Sequence, residues 1–240
     1  MNRELDDATA EAAKRYAKTR EFREKLIATF ADPQEYPPEA HPLSIYMAGS
    51  PGAGKTEFSK QFIFLFEGKF PTKIVRIDAD EIRPLLPQYS GENSWQVQGA
   101  AAIGVEKLYD SVLRNRQNII LDGTLARFEK AKDNIRRSID KGRDQVVFFL
   151  YQEPLVAWEF TKKRELVEGR NIPRDAFIES FVCSRENADR IKWEFGTGVQ
   201  LNVVIKNYQN DSQQIIMNVD TIDAYIPACY TREELGKLIV

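Results

Sequence analysis

Eight consecutive residues, Gly49-Ser50-Pro51-Gly52-Ala53-Gly54-Lys55-Thr56, restrict the fold of this chain more than any other segment. They match G-x-x-x-x-G-K-[ST] at every fixed position. The apolar run Leu43 to Ala48 reads as a strand leading in, and a helix is expected to lead out. Glycines let such a turn curl so that backbone N–H groups point inward, toward phosphate oxygens. The helix N-terminus adds positive potential. In a loop of this kind Lys55 reaches the β- and γ-phosphates and the Thr56 hydroxyl ligates Mg²⁺. All eight residues are therefore candidate contacts for ATP or GTP, with Mg²⁺ as the accompanying metal.

The rest of the chain agrees with an α/β fold. After Leu43, strand-like runs at Lys73–Ile77, Asn118–Asp122 and Gln145–Tyr151 alternate with helix-like segments at Trp95–Arg116, Pro154–Val167 and Arg174–Glu194. This alternation predicts a largely parallel sheet with helices on both faces. Leu201–Lys206 and Gln213–Val219 are expected to form a hairpin across Asn207 to Ser212, and Thr231 with Glu234 fits a capping box for a last short helix. Residues 3 to 30 contain no Gly or Pro and show a rough apolar face at Ala12, Tyr16, Phe22, Leu26 and Phe30, so they predict one N-terminal helix. Pro33, Pro37, Pro38 and Pro42 make the next stretch a connector. Residues 1–42 thus read as a helix and connector, and residues 43–240 as the phosphate-loop domain.

Composition excludes several functions. The 34 Lys and Arg against 36 Asp and Glu give a net charge of −2, without the basic excess of a general nucleic-acid binder. His41 is the only histidine and Cys183 and Cys229 the only cysteines, which argues against a zinc site, a Ser-His-Asp triad or a disulfide framework. The longest apolar run, Val146–Tyr151, is far short of the ~20 residues of a membrane span. The N-terminus is charged where a signal peptide would be apolar. A soluble cytoplasmic protein is expected, with neither nucleic acid nor membrane as partner.

Asp122 closes the third strand and has the position of a metal-holding carboxylate; a strand-end Asp that caps the next element is the alternative. Asp122-Gly123-Thr124 lies at the carboxyl edge of the sheet, where ligands bind in open α/β folds. Asp78-Ala79-Asp80-Glu81 follows the second strand. Asp80 is placed either to take the proton of an acceptor hydroxyl or to cap a helix, with Glu81 in its first turn. Arg164 and Arg170 are candidate cations for charge developing in transfer, with solvated surface charge as the alternative. No Asn/Thr-Lys-x-Asp motif for guanine selection is present, which counts against a switch GTPase. A small-molecule kinase fits best, ahead of a nucleotide-dependent binding protein without an acceptor.

Together the Gly49–Thr56 loop, Ile77-Asp78-Ala79-Asp80, Ile120-Leu121-Asp122-Gly123-Thr124, and Arg164 followed by Gly169-Arg170-Asn171-Ile172-Pro173-Arg174 resemble the zeta toxin family of bacterial toxin–antitoxin systems. The order holds across about Leu43 to Glu194. The resemblance implies a kinase that phosphorylates the sugar 3′-hydroxyl of UDP-N-acetylglucosamine, with an antitoxin protein as partner. It implies that Lys55 is the phosphate-loop lysine, Asp80 the general base, and Arg164 and Arg170 the arginines on the transferring phosphate. Glu106 falls where the family has a sugar-contacting acid, and Asn134 where a nucleotide-sugar contact is expected. Asp80, Arg83, Glu106 and Thr124 are the expected substrate contacts, and Thr56 and Asp122 the metal contacts. Asp122 stands where some relatives have Glu. Other acceptors, including those of a housekeeping metabolite kinase, remain alternatives. The N-terminal helix is expected to pack beside the nucleotide pocket, where antitoxin helices of the family sit, to form part of a partner surface, or simply to cover one edge of the core.

Overall fold

The computed structural model describes residues 3–168, 172–207 and 212–239. Two helices open the chain, α1 (Arg3–Ala17) and α2 (Arg20–Phe30). The core then runs β1 (Leu43–Ala48), α3 (Lys55–Lys69), β2 (Ile74–Asp78), α4 (Ala79–Ile82), α5 (Ser94–Arg114), β3 (Asn118–Asp122), α6 (Phe128–Ile139) and β4 (Asp144–Tyr151). It continues with α7 (Pro154–Glu168), α8 (Arg174–Phe195), β5 (Gln200–Asn207), β6 (Ser212–Ile216) and α9 (Arg232–Leu238). From Leu43 on the expected elements are present, with ends displaced by up to three residues. The tip of the expected hairpin, residues 208–211, lies outside the described residues.

The sheet order is β2-β3-β1-β4-β5-β6, parallel except for β6, which runs antiparallel to β5. From β1 the chain crosses to β2, returns to β3, and then passes to β4 on the other side of β1. The strand order therefore reverses around β1, and the loop that follows β1 stands at the crevice where open α/β sheets bind ligands.

Alternation along the strands sorts the core onto two faces. Ile45, Met47, Ile74, Ile120, Phe148 and Leu150 meet α3 through Phe58, Phe62 and Phe66. Tyr46, Val75, Ile77, Ile119, Val147 and Phe149 face the opposite way. That face shares one apolar cluster with Ala13 and Ala17 of α1, Phe22 and Leu26 of α2, and residues of α5, α6 and α8.

The single helix expected over residues 3 to 30 is instead two. The break falls at Thr19, whose hydroxyl accepts from the Phe22 N–H at 3.1 Å and donates to the Tyr16 carbonyl at 2.7 Å. A Thr N-cap satisfies an otherwise orphaned donor, and this outweighs a continuous helix. Lys107 of α5 fastens the corner by donating to the Lys18 and Thr19 carbonyls. Neither α1 nor α2 contributes a described residue to the large cavity at the strand ends. Their place is against α5, where Phe22 is fully buried and its ring would lie 3.1 Å from a Cβ added at Gly104.

Loss of that contact is expected to cost stability rather than relieve inhibition. Phe22→Ala should lower stability by about 3–5 kcal/mol in denaturant unfolding, as for other buried aromatic truncations. Gly104→Ala should lower the melting temperature, because its Cβ would stand 2.7 Å from Ile82 Cγ2. A melting temperature unchanged by either substitution would show that the helical pair is peripheral.

Candidate active site

The loop after β1 is held from three sides. A Cβ at Gly49 (φ +134°) would lie 2.5 Å from the Leu150 carbonyl of β4. One at Gly52 (φ +73°) would lie 2.0 Å from the Ala157 carbonyl of α7. Only glycine fits both the space and the positive φ at these two positions. The Gly49 N–H also donates to the Thr124 carbonyl at 3.2 Å, which ties the loop to the segment after β3. The Lys55 ammonium donates to the Gly49 and Ser50 carbonyls at 2.9 and 2.6 Å. The side chains of Ser50 and Ala53 are buried. Pro51, Gly52, Gly54, Lys55 and Thr56 line the cavity above.

That cavity measures about 520 Å³, within the ~300–1,000 Å³ typical of small-molecule sites. Asp78, Asp80, Arg83, Asp122, Thr124 and Arg164 complete its expected wall. Gln98, Phe160 and Ile172 line it as well. Gln98 and Phe160 have no motif to mark them in the sequence, whereas Ile172 belongs to the Gly169–Arg174 segment. Gln98 is found only through its partner, since it accepts from Arg83 at 2.5 Å.

The acidic turn after β2 divides its duties. Asp78, not Asp80, caps α4, accepting from the Asp80 N–H at 2.8 Å. The capping alternative for Asp80 is thus taken by its neighbour. The Asp80 carboxylate lies on the cavity wall, paired with Arg83 at 2.6 Å through Oδ1 and with Arg164 at 3.2 Å through Oδ2. Burial, with Asp122 and Asp80 nearby, raises the Asp78 pKa, and Arg76 opposes that shift.

Asp122 does not cap the next element. Its Oδ2 accepts from Ser59 of α3 at 3.0 Å and pairs closely with Arg76. Asp122 and Thr56, the two expected metal contacts, both line the cavity. Among the described residues no group of three or more His, Cys, Asp or Glu side chains is arranged to hold a metal by itself. One or two protein ligands plus phosphates is the usual manner of holding Mg²⁺.

Other expected residues lie elsewhere. Glu106 of α5 is not among the cavity residues; it pairs with Lys130 at 2.5 Å and Arg137 at 3.4 Å. Asn134 of α6 is buried, with its carbonyl accepting from the Tyr109 hydroxyl at 2.7 Å and its Oδ1 from Arg137 at 2.8 Å. Arg170 lies outside the described residues. Lys206, at the end of β5, was not expected at all, yet its ammonium donates to the Gly54 carbonyl at 3.1 Å. Burial lowers its pKa, with Glu57 as the opposing charge.

The strand order and the loop at its switch point define a kinase-like α/β protein of the phosphate-loop class. The family model for zeta toxin matches residues 27–221, well over half of the sequence, and the chain belongs to that family. Among solved structures, one from the PezAT chromosomal toxin–antitoxin system of Streptococcus pneumoniae superposes with a TM-score of 0.62 at 21% identity, covering 81% of this chain and 79% of that one. A structure of the AvrRxo1-ORF1:-ORF2 complex gives 0.60 at 16% identity, over 93% and 71% of the two chains. The same complex with ATP gives 0.59 at 16%, over 89% and 66%. At such identities the likeness establishes the fold alone. A search of curated protein sequences finds no match.

Lys55→Ala should lower nucleotide turnover by about 10²-fold or more, as when other preorganised charge contacts are removed. Its melting temperature should change little, because the ammonium lies at the cavity wall and donates to the carbonyls of its own loop, not to the apolar core. Asp80→Asn should keep nucleotide affinity and lose transfer, since an amide cannot accept the acceptor's proton. Asp78→Asn, which keeps a capping oxygen, should chiefly lower thermal stability through loss of the buried ion pair with Arg76. Steady-state kinetics and melting curves on both variants distinguish the two acids. Greater kinetic damage from Asp78→Asn would reverse their roles.

Proposed function

We propose that this protein transfers the γ-phosphate of ATP or GTP to a sugar hydroxyl of a nucleotide sugar such as UDP-N-acetylglucosamine, as a zeta-type toxin. The observation that carries this reading is Asp80: a carboxylate on the cavity wall, opposed by two arginines, in the same cavity as Lys55 and Thr56. A pure nucleotide switch has no use for such an acid. In the proposed reaction Asp80 accepts the proton of the acceptor hydroxyl while that oxygen forms the new bond to the γ-phosphorus. The bond from phosphorus to the β–γ bridging oxygen breaks, and the nucleoside diphosphate leaves with that electron pair.

Lys55 exchanges its two carbonyl partners for phosphate oxygens when nucleotide enters. Arg164, next to Asp80, meets the charge spread over the transferring phosphoryl group. Arg170 is proposed to share that task. Arg83 and Thr124 are proposed to contact the acceptor. Mg²⁺, held through Thr56 and Asp122, supplies charge neutralisation at the phosphates when bound. Glu106 stays a proposed sugar contact only if its pairs with Lys130 and Arg137 give way.

Membership in the zeta toxin family and the toxin–antitoxin neighbour support a toxin role with an antitoxin partner. The ATP complex of a fold neighbour supports ATP as donor. No described helix is long and apolar enough to cross a membrane. A nucleotide-sugar acceptor fits work in the cytoplasm.

The test is incubation with ATP, Mg²⁺ and a panel of UDP-sugars, read by mass spectrometry. A UDP-sugar that gains one phosphate, and does not with Asp80→Asn, is the expected result. ATP consumption with every sugar unmodified would overturn the acceptor class and favour a different metabolite. Arg170→Ala should lower the transfer rate more than the ATP affinity; equal loss in both would make Arg170 a nucleotide clamp.

A further inference from the structure

Asp78 and Asp122 are register partners on the adjacent parallel strands β2 and β3, so their carboxyl groups stand side by side at the carboxyl edge of the sheet. Between them lies Arg76, two residues before Asp78 and on the same face, with a side chain only 8% exposed. Its guanidinium pairs with Asp78 at 2.6 Å, with Asp122 more closely still, and with Glu81 at 2.6 Å. Its Nε donates to Ser59 Oγ at 2.9 Å. Ser59, on the helix that begins with Lys55, in turn donates to Asp122 Oδ2 at 3.0 Å and lies within hydrogen-bond reach of the Thr56 carbonyl at 3.0 Å. Burial works against the charge on Arg76, but the surrounding carboxylates hold it protonated.

We propose that Arg76 is a positioning residue for metal-assisted nucleotide binding: with Ser59, it fixes Asp122 against the phosphate-loop helix so that Asp122 and Thr56 present one rigid pair of contacts to the metal. This rests on the proposed nucleotide reading of the cavity. Both bonds described for Asp122 fall on Oδ2, which orients the carboxylate as a unit. The fork of a guanidinium reaches three carboxylates and one hydroxyl at once; an ammonium is a point charge and cannot. Arg76 is not among the residues that line the cavity. Its effect should therefore be felt through metal, not through ATP itself.

The experiment measures ATP affinity by calorimetry with Mg²⁺ and again with EDTA, for the wild type, Arg76→Lys and Ser59→Ala. The wild type should bind more tightly with Mg²⁺. Arg76→Lys should lose about 10-fold or more of that gain, the range typical of partners that orient metal ligands, while its affinity in EDTA stays within about threefold. Ser59→Ala, which changes no charge and suits a helix, should lose less in the same direction. A folded Arg76→Lys with the full Mg²⁺ gain overturns the proposal, and marks a purely structural ion pair. If that variant does not fold, an unaltered gain in Ser59→Ala overturns it equally. A wild type that binds ATP without any gain from Mg²⁺ overturns the positioning role and leaves the nucleotide site standing. A wild type that binds no ATP in either condition removes both readings.

Discussion

The phosphate loop is wedged between the end of β4 and the first turn of α7, with no room for a side chain at Gly49 or Gly52. This close approach sets most of what lies around it. It brings α7 against the loop, and with α7 come Phe160, Thr161 and Arg164 on the cavity wall. It draws the Gly49 N–H to the Thr124 carbonyl, which fixes the segment after β3 and places Asp122 beside the loop. On its loop side the cavity is held by these close backbone contacts. Its opposite side rests on the short α4 turn and on arginine contacts.

Charge is distributed unevenly over the two acidic centres. Arg76 meets three carboxylates, Asp78, Asp122 and Glu81, from within the protein. Asp80 meets two guanidinium groups, Arg83 and Arg164, at the cavity wall. The first centre keeps an excess of negative charge beside the phosphate-loop helix, and the second is locally cationic at the cavity wall. A buried ion pair of this sort adds little to net stability, because desolvation offsets attraction. Its value lies in orientation.

The N-terminal helices belong to the same apolar cluster as the sheet, through Ala13, Ala17, Phe22 and Leu26. They cover α5, and α5 supplies Gln98 to the cavity. Gly104 is the position on α5 that admits the Phe22 ring; a larger residue there would push α2 away and disturb the packing of Ile82 at the end of α4. The helical pair thus supports the acidic turn from behind, at one remove from the chemistry.

The sequence by itself determined the phosphate loop, the alternation of strands and helices, the strand-end positions of Asp78 and Asp122 with Asp80 in the turn just beyond, and the family resemblance. These are local properties: a periodicity, a motif, a residue's place at the end of an apolar run. Tertiary structure decided how each charged group is used. Asp78 rather than Asp80 became the cap, because one of two acids in a turn can face the helix end and the other the cavity. Glu106 met Lys130 and Arg137 on α6 instead of the cavity wall. Arg76 carries no local signal of its role, and only the pairing of β2 with β3, under α3, enclosed it among carboxylates. Gln98 and Lys206 carry no local signal, since their partners lie 15 and 152 residues away. Only the break at Thr19 had a legible cue, a good N-cap residue inside a helical run. The helix period fixes which residues share a face, but the partner across the chain decides what that face does.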